Sequence, residues 1–457
     1  MSNFLLPGID LIRKYNKQVP RYTSYPTVPY WQDDISPDEW KERASNTFHA
    51  CNKTDGISLY IHLPFCESLC TYCGCNKKIT TNHIVEEEYI KALEKEWSLY
   101  LQLFKEKPVI RELHLGGGTP TFFSAANLAW LLDIIFSKSS RHPLHEFSIE
   151  GHPNNTTFEQ LQVLYAFGFR RISYGVQDLD EKVQYMINRI QPFSNVAKAT
   201  AMALKAGFTS INFDLIYGLP FQTVESISKT FHQVLQLKPG RIAFYSYAHV
   251  PWKSRGQRLF DETDLPSAEN KLQLYLTGKQ ILNEAGYQDI GMDHFALPGD
   301  ALYTAYKNGT LHRNFMGYTT CNTGMLVGLG VSAISDAGNG YAQNEKQLLD
   351  YYRCLNDNKI PVVKGYFLSK EDERFKRYIL DIICGGKAFF SKDDLPVLKE
   401  YCFPQLALLQ ADGLISFNDS MISVINEGHY FLRNICYAVD VVAARSAYSE
   451  ALFSKAI

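Results

Sequence analysis

Cys66-Glu67-Ser68-Leu69-Cys70-Thr71-Tyr72-Cys73-Gly74-Cys75 sets four thiols in one short stretch, directly after the apolar run Ile57 to Leu63. Soft thiolates select zinc or iron–sulfur clusters, and spacing separates the two. Structural zinc draws on two separated pairs of ligands, and no second knuckle follows here. The spacing C-x3-C-x2-C, confined to one loop, suits three irons of a [4Fe-4S] cube and leaves the fourth iron without a protein ligand. Cys66, Cys70 and Cys73 are therefore the candidate metal ligands, and the open iron is a binding site for a further molecule. A zinc site and a plain cluster of thiols are the alternatives.

Working outward from that loop, short β-branched and aromatic runs alternate with longer amphipathic stretches, the pattern of βα units. The strands expected are Ile57 to Leu63, Ile110 to Leu115, His145 to Glu150, Arg170 to Val176, Ser210 to Tyr217 and Arg241 to Tyr247. Helices are expected over Ile84 to Leu103, Ala125 to Ser137, Thr157 to Ala166, Asn195 to Ala206 and Thr223 to Leu237. Such alternation implies an α/β fold with a parallel sheet, and a right-handed curl of these strands gives a partial (β/α)6 barrel. Polar and glycine residues cluster where the strands end, the edge that carries the active site in parallel α/β folds. Among them Gly116-Gly117-Gly118-Thr119-Pro120 lacks the lysine of a phosphate-binding loop, so nucleoside triphosphate is not indicated. Glycine there lets backbone approach a ligand, although a tight turn accounts for a glycine triplet equally well. Glu150 ends the third strand as a possible acceptor for hydroxyl groups.

The flanks are less periodic. Residues 1–55 read as an irregular arm leading into a short helix, with Pro20-Arg21-Tyr22-Thr23-Ser24-Tyr25-Pro26 extended over a surface as packed tail or lid. The barrel occupies 56–250, and a mixed, Gly-containing region 251–365 completes it. Residues 366–457 form a mainly helical C-terminal domain: helical Ser369 to Cys384, a hairpin of Leu414 to Phe417 with Met421 to Ile425, and helical His429 to Ala447. Helices before a small hairpin suggest a winged-helix-like module, here without the basic run that nucleic-acid binding needs.

Composition agrees with a globular protein and narrows the partners. The 457 residues are 46% hydrophobic and 21% charged, with a net charge of −2, so neither extended disorder nor a polyanion-binding surface is expected. The apolar run near Leu128 to Phe136 is broken by Asp133 and is too short to span a bilayer. Met1 to Lys14 has no secretory pattern, which makes the cytosol the expected address. There thiols stay reduced, and Cys51, Cys321, Cys354, Cys384, Cys402 and Cys436 read as buried apolar side chains.

The C-x3-C-x2-C loop with aromatic Tyr72 before its third cysteine resembles that of the radical S-adenosylmethionine (SAM) enzymes. The resemblance implies a site-differentiated [4Fe-4S] cluster whose open iron takes the amino and carboxylate groups of SAM, and one-electron cleavage to a 5′-deoxyadenosyl radical. The glycine motif would meet the methionine end of the cofactor and Glu150 its ribose. Within that superfamily the chain resembles the oxygen-independent coproporphyrinogen III oxidases. The motifs are Pro20 to Pro26, Tyr60-Ile-His62-Leu-Pro-Phe-Cys66, Cys73-Gly-Cys75-Asn76-Lys77, Gly175-Val-Gln177-Asp178, Asp214-Leu-Ile-Tyr-Gly218-Leu-Pro220, His312-Arg-Asn-Phe315 with Gly317-Tyr-Thr-Thr320, and Gly330-Val-Ser-Ala-Ile334. That family turns two propionates of coproporphyrinogen III into vinyl groups, giving protoporphyrinogen IX and carbon dioxide for haem synthesis with two SAM consumed. Carried over by position, Tyr60, Tyr72, Gly117, Gly118, Thr119, Glu150, Gln177, Arg189, Asp214, Ala248 and Ile334 would contact SAM. Cys75 and Tyr60 would serve catalysis, Cys75 without ligating the cluster, and His62 reads as acid/base or as a satisfied loop histidine. An unidentified electron donor, a monomeric state, and no nucleic-acid partner or membrane insertion are also implied.

Four residues at three places depart from the family pattern. Glu150-Gly151-His152-Pro153 replaces Glu-Val-Asp-Pro, Met316 stands for a glutamine after Phe315, and Cys321 stands where glutamine is common. A thioether cannot donate as an amide does, which bears on the second cofactor. Two other readings are a haem-binding chaperone, whose relatives lack Cys75, the Pro20 to Pro26 arm and the His312 to Thr320 motif, and a radical enzyme acting on RNA, which would carry a basic face.

Overall fold

A computed structural model describes residues 8–251 and 255–446. The described residues gather into two compact units, one from residues 8–31, 282–321 and 368–446, the other from the described parts of 32–281 and 322–367. The first boundary falls at Trp31, inside the stretch 1–55 read as one arm.

The larger unit carries the barrel. Six strands, β1 (Ile57–Leu63), β2 (Val109–Gly117), β3 (Ser140–Gly151), β4 (Phe169–Gln177), β5 (Ser210–Tyr217) and β6 (Arg241–Ser246), pair in parallel and in chain order. Helix α1 (Pro37–Cys51) precedes them, and α2 (Val85–Phe104), α3 (Ala125–Ser137), α4 (Phe158–Ala166), α5 (Glu181–Met186), α6 (Phe193–Ala206) and α7 (Val224–Gln236) lie along the chain between them. The apolar run Leu128 to Phe136 is thus an ordinary helix, and among the described residues no helix is long and apolar enough to cross a membrane.

Side chains alternate across each strand. Leu59, Ile61, Leu113, Leu115, Ile149, Ile172, Tyr174, Phe213 and Leu215 are fully buried on one face, where Tyr174 donates to the Ala199 carbonyl of α6 at 3.2 Å. On the other face cross-strand neighbours are polar: Tyr60 opposite His114, His114 opposite Ser148, Ser173 opposite Asn212. A sheet lined this way offers hydrogen-bonding groups to whatever lies in its mouth.

A seventh parallel strand, β7 (Leu326–Leu329), pairs with the outer edge of β1, Gly328 opposite Tyr60. It is followed by the antiparallel β8 (Ile334–Asp336), β9 (Gly340–Asn344) and β10 (Val362–Phe367), with α8 (Leu348–Asn356) before the last. Periodicity does not announce β7, because it is four residues long, contains a glycine and has no companion helix.

In the smaller unit the Pro20 to Pro26 segment is a packed strap. The Arg433 guanidinium donates to the carbonyls of Val19 and Pro20, and the Tyr22 hydroxyl to Asp440 at 2.9 Å. Helix α9 (Lys370–Gly385) starts in a capping box of Ser369 and Asp372, and a three-stranded sheet orders Lys387–Phe389, Met421–Val424 and Ile415–Phe417. The helix expected over His429 to Ala447 is broken. A 3-10 turn ends at Phe431, Leu432–Tyr437 follows, and Asp440 caps a separate Val441–Arg445 by accepting from Ala443 N–H at 2.8 Å. Ala447 lies outside the described residues. Met316 occupies the two-residue turn between strands His312–Asn314 and Gly317–Thr319, its N–H donating to Asn314 Oδ1 at 2.8 Å.

Candidate active site

The mouth of the parallel sheet holds a cavity of about 380 Å³ lined by Cys66, Cys70, Cys73 and Cys75 on one side, by Gly117, Gly118, Thr119, Glu150 and Gln177 at or just past strand ends, and by Asp214 of β5 and Arg189 after α5. Tyr72 also lines it. Sequence reasoning thus brings together the four cysteines and eight of its eleven cofactor-contact candidates in one hollow.

The cysteine loop is held from several sides. Cys66 ends a short strand, Phe65–Cys66, that pairs in parallel with Lys78–Ile79. Asn188 Nδ2 donates to the Leu69 carbonyl at 2.8 Å, and Thr71 N–H to Ile187 at 3.0 Å. Lys77 Nζ caps the carbonyls of Cys73 and Cys75 at 3.1 and 3.3 Å. The thiols themselves have donors: Thr119 Oγ1 lies 3.2 Å from Cys66 Sγ and Arg189 Nη1 3.5 Å from Cys70 Sγ. The neighbouring thiols of Cys75 and Cys73 act on each other, lowering the Cys73 pKa and raising that of Cys75, while burial pushes Cys66 up to about 11.

This donor set fits an iron–sulfur cluster. Three soft ligands come from one loop, with a guanidinium and a hydroxyl ready to satisfy sulfur lone pairs, the outer contacts that tune such centres. Among the described residues no trio of Cys, His, Asp or Glu converges on a single ion. Three thiolates serving three different irons have no need to converge.

The opposite wall is built from glycine and acid. Gly117 has φ +115°, and a Cβ there would stand 2.7 Å from the His62 ring. At Gly118 a Cβ would stand 2.6 Å from the Pro64 carbonyl. The bare backbone can therefore follow the loop from below, and Gly117 N–H donates to Glu150 Oε2 at 3.2 Å. Asp214 accepts from Ser173 at 3.0 Å and Asn212 at 2.8 Å; burial and the nearby Glu150 carry its carboxyl up to about 6. Arg189 is anchored on the Gly175 carbonyl at 2.6 Å, where a side chain in place of Gly175 would meet it at 2.9 Å.

Tyr60, Ala248 and Ile334 do not line the cavity. The Tyr60 ring stacks on His114 with centroids 6.0 Å apart, and its hydroxyl lies 3.0 Å from His62 Nδ1. His62 Nε2 faces the Asn76 carbonyl at 2.9 Å, so it carries the proton and Nδ1 accepts from Tyr60. His62 is a satisfied histidine, and it sits on strand β1 instead of in the loop. Ala248 is tied to the loop by Gln257, whose Nε2 donates to the carbonyls of Ala248 and Tyr72, each at 3.3 Å. The backbone of Ile334 lies across Gly328, the strand neighbour of Tyr60.

Several residues of the site escape sequence reasoning. His114 joins Ser148 at 2.7 Å to Glu150 at 3.3 Å and is betrayed only by its inward place in the strand alternation. His152 lines the cavity and is held neutral, its pKa lowered to about 3 by burial and by Arg189. Gln257 has no local signal at all.

Comparison with known proteins gives a consistent result. The radical SAM superfamily profile matches residues 60–234. Over 455 residues the chain is 38% identical to oxygen-independent coproporphyrinogen III oxidase of Salmonella typhimurium, covering 98% of each. It is 38% identical to the Escherichia coli K12 protein of that name over 459 residues, again 98% of each. For the Helicobacter pylori 26695 protein the figures are 38% over 439 residues, 93% of this chain and 95% of the other. The solved structure of Escherichia coli coproporphyrinogen III oxidase, described as a radical SAM enzyme, superposes with a TM-score of 0.87 at 36% identity over 96% of this chain and 99% of that one.

Proposed function

The chain belongs to the oxygen-independent coproporphyrinogen III oxidases, and from that premise we propose that it decarboxylates two propionates of coproporphyrinogen III to vinyl groups, yielding protoporphyrinogen IX. The observation that carries the reading is the single cavity in which the C-x3-C-x2-C cysteines face the glycine and carboxylate strand ends. A propionate β-carbon bears no acidic hydrogen, so the reaction removes a hydrogen atom, then carbon dioxide, and passes one electron to an acceptor. When bound, the cluster and SAM supply the one-electron chemistry for that abstraction.

The chain's own residues bind and orient. Cys66, Cys70 and Cys73 hold the cluster, with Thr119 and Arg189 donating to sulfur. Gly117, Gly118 and Thr119 admit the methionine end of SAM, Glu150 accepts from ribose hydroxyls, Tyr72, Gln177 and Asp214 complete the contacts inside the cavity, and Tyr60, Ala248 and Ile334 reach the cofactor from beside it. Cys75, exposed beside the ligands, stands within reach of substrate or of the electron's route. The barrel of residues 56–250 acts as the radical-generating part, 1–55 as an arm or lid, the region 251–365 completes the barrel, and 366–457 form the helical domain. A second SAM is consumed at each turnover, and Met316 makes its site the weaker one. The protein works as a monomer with an electron donor yet to be identified, without nucleic acid, in the cytosol.

The test is anaerobic reconstitution with iron and sulfide, then reduction with SAM and coproporphyrinogen III. The expected products are 5′-deoxyadenosine and protoporphyrinogen IX. SAM cleavage without a porphyrinogen product, or tight stoichiometric haem binding in its place, would overturn the reading. A large gain of turnover in Met316→Gln identifies the second site as the impaired one.

A further inference from the structure

Among the polar side chains that helix α2 buries and the chemistry above leaves unused are Tyr89 and Glu96, both 0% exposed. They lie seven residues, two helical turns, apart and so share a face. Among the described residues Glu96 has no cation beside it: Oε2 accepts from Gly330 N–H at 2.7 Å and the Tyr351 hydroxyl at 2.7 Å, and Oε1 from Asn344 Nδ2 at 2.6 Å. A buried carboxyl without an ionic partner is costly, and an apolar residue would pack the helix better.

What the group holds is the turn after β7. Asn344 Nδ2 also donates to the Gly330 carbonyl at 2.9 Å, so both peptide groups of that residue are fixed. Next to it the Tyr89 hydroxyl accepts from Val331 N–H at 3.0 Å and donates to the His62 carbonyl at 2.8 Å. Gly330 has φ +102°, and a Cβ there would stand 2.5 Å from Tyr89 Oη and 2.7 Å from the His62 carbonyl. From His62 the chain of bonds continues through Nε2 to Asn76, at the end of the cysteine loop. From Gly330 the turn leads to Ile334, across Gly328 from Tyr60.

We propose that Tyr89 and Glu96 are positioning residues for SAM, a brace that fixes the cysteine loop, through His62, at one spacing from the Gly330–Ile334 turn. The proposal rests on reading the cavity as the cofactor site. Neither side chain touches cofactor or substrate.

The experiment compares Tyr89→Phe, Glu96→Gln and Glu96→Leu with the wild type, each reconstituted anaerobically. Iron content, thermal unfolding, the dissociation constant for SAM, the SAM-induced change in the EPR signal of the reduced cluster, and kcat and KM are read. Tyr89→Phe keeps the ring and loses two buried hydrogen bonds, from Val331 N–H and to the His62 carbonyl. It is expected to hold iron like the wild type, to melt somewhat lower because the Val331 N–H and the His62 carbonyl lose their buried partner, to bind SAM about tenfold more weakly, and to show a diminished EPR change with kcat within about twofold. Glu96→Gln, which retains an acceptor for Gly330, restores most of the affinity that Glu96→Leu loses. Wild-type SAM affinity and an unaltered EPR response in Tyr89→Phe would overturn the brace, and that variant decides the matter if Glu96→Leu does not fold. A wild-type protein that neither binds nor cleaves SAM overturns the functional reading itself, whatever the variants do.

Discussion

Single residues at the site work through what they lack or hold back. Gly118→Ala would push a methyl into the Pro64 carbonyl at 2.6 Å, and backbone cannot swing aside as a side chain can. Gly117→Ala meets a strained φ as well as the His62 ring, which is pinned by Tyr60 and Asn76. Each is expected to cost about 2–4 kcal/mol in urea unfolding and to abolish SAM binding. Glu96 offers a pH test. Burial lifts its carboxyl from 4.5 to about 7, so between those values the folded protein holds a proton that the unfolded chain has released. The group's contribution therefore falls as pH rises through that window. Its titratable neighbours Tyr89, Tyr100 and Tyr351 are all raised and remain neutral. Glu96→Gln, which cannot titrate, should gain stability relative to wild type between pH 5 and pH 8, read as paired urea midpoints; a constant difference would contradict this.

Elements couple through their ends. Helix α4 begins in a capping box in which Thr157 accepts from Gln160 N–H and Gln160 Oε1 accepts from Thr157 N–H. Gln160 Nε2 also donates to the carbonyls of Thr121 and Phe123, at 2.9 and 2.7 Å, in the turn after the glycine motif. Thr157→Ala loses a cap and is expected to cost about 1 kcal/mol. Gln160→Ala leaves two carbonyls unpaired, should cost about 2–3 kcal/mol more, and should raise the KM for SAM; calorimetry and kinetics read both. The same contrast explains what the chain discloses of itself. Strands β1 and β5 and helix α3 are bounded as the side-chain period predicts, because each satisfies itself locally or against a repeating neighbour. Cys66, Cys70, Cys73, Gly117, Gly118 and Glu150 are legible because they sit in one loop or at strand ends. Glu96 and Gly330 are 234 residues apart, and Gln257 and Tyr72 are 185 apart. Such partnerships leave no local periodicity, and the short β7 is hidden for the same reason.

At the scale of the whole molecule the ten cysteines divide by surroundings. Cys51, Cys321, Cys402 and Cys436 are buried, whereas Cys354 and Cys384 are partly exposed, which departs from the expectation that all six are interior. Alkylation of the cluster-free protein followed by mass spectrometry should label Cys66, Cys70, Cys73 and Cys75, reconstitution should protect the three ligands, and the four buried thiols should react only after unfolding. Stoichiometry tests the reaction as a whole: two 5′-deoxyadenosines are expected per protoporphyrinogen IX, and a ratio of one would contradict the consumption of a second SAM. The pairing of β7 with β1 bears on how the protein comes into being. The strand leading into the cysteine loop is apolar on alternate positions and buried at all but Tyr60, and its outer edge waits for Leu326–Leu329, translated long after it. Until then a nascent chain displays a sticky, unpaired edge beside its reactive thiols, open to pairing with another copy. Synthesis is thus the interval in which this protein most needs a chaperone, and chains truncated before Leu326 should collect in the insoluble fraction.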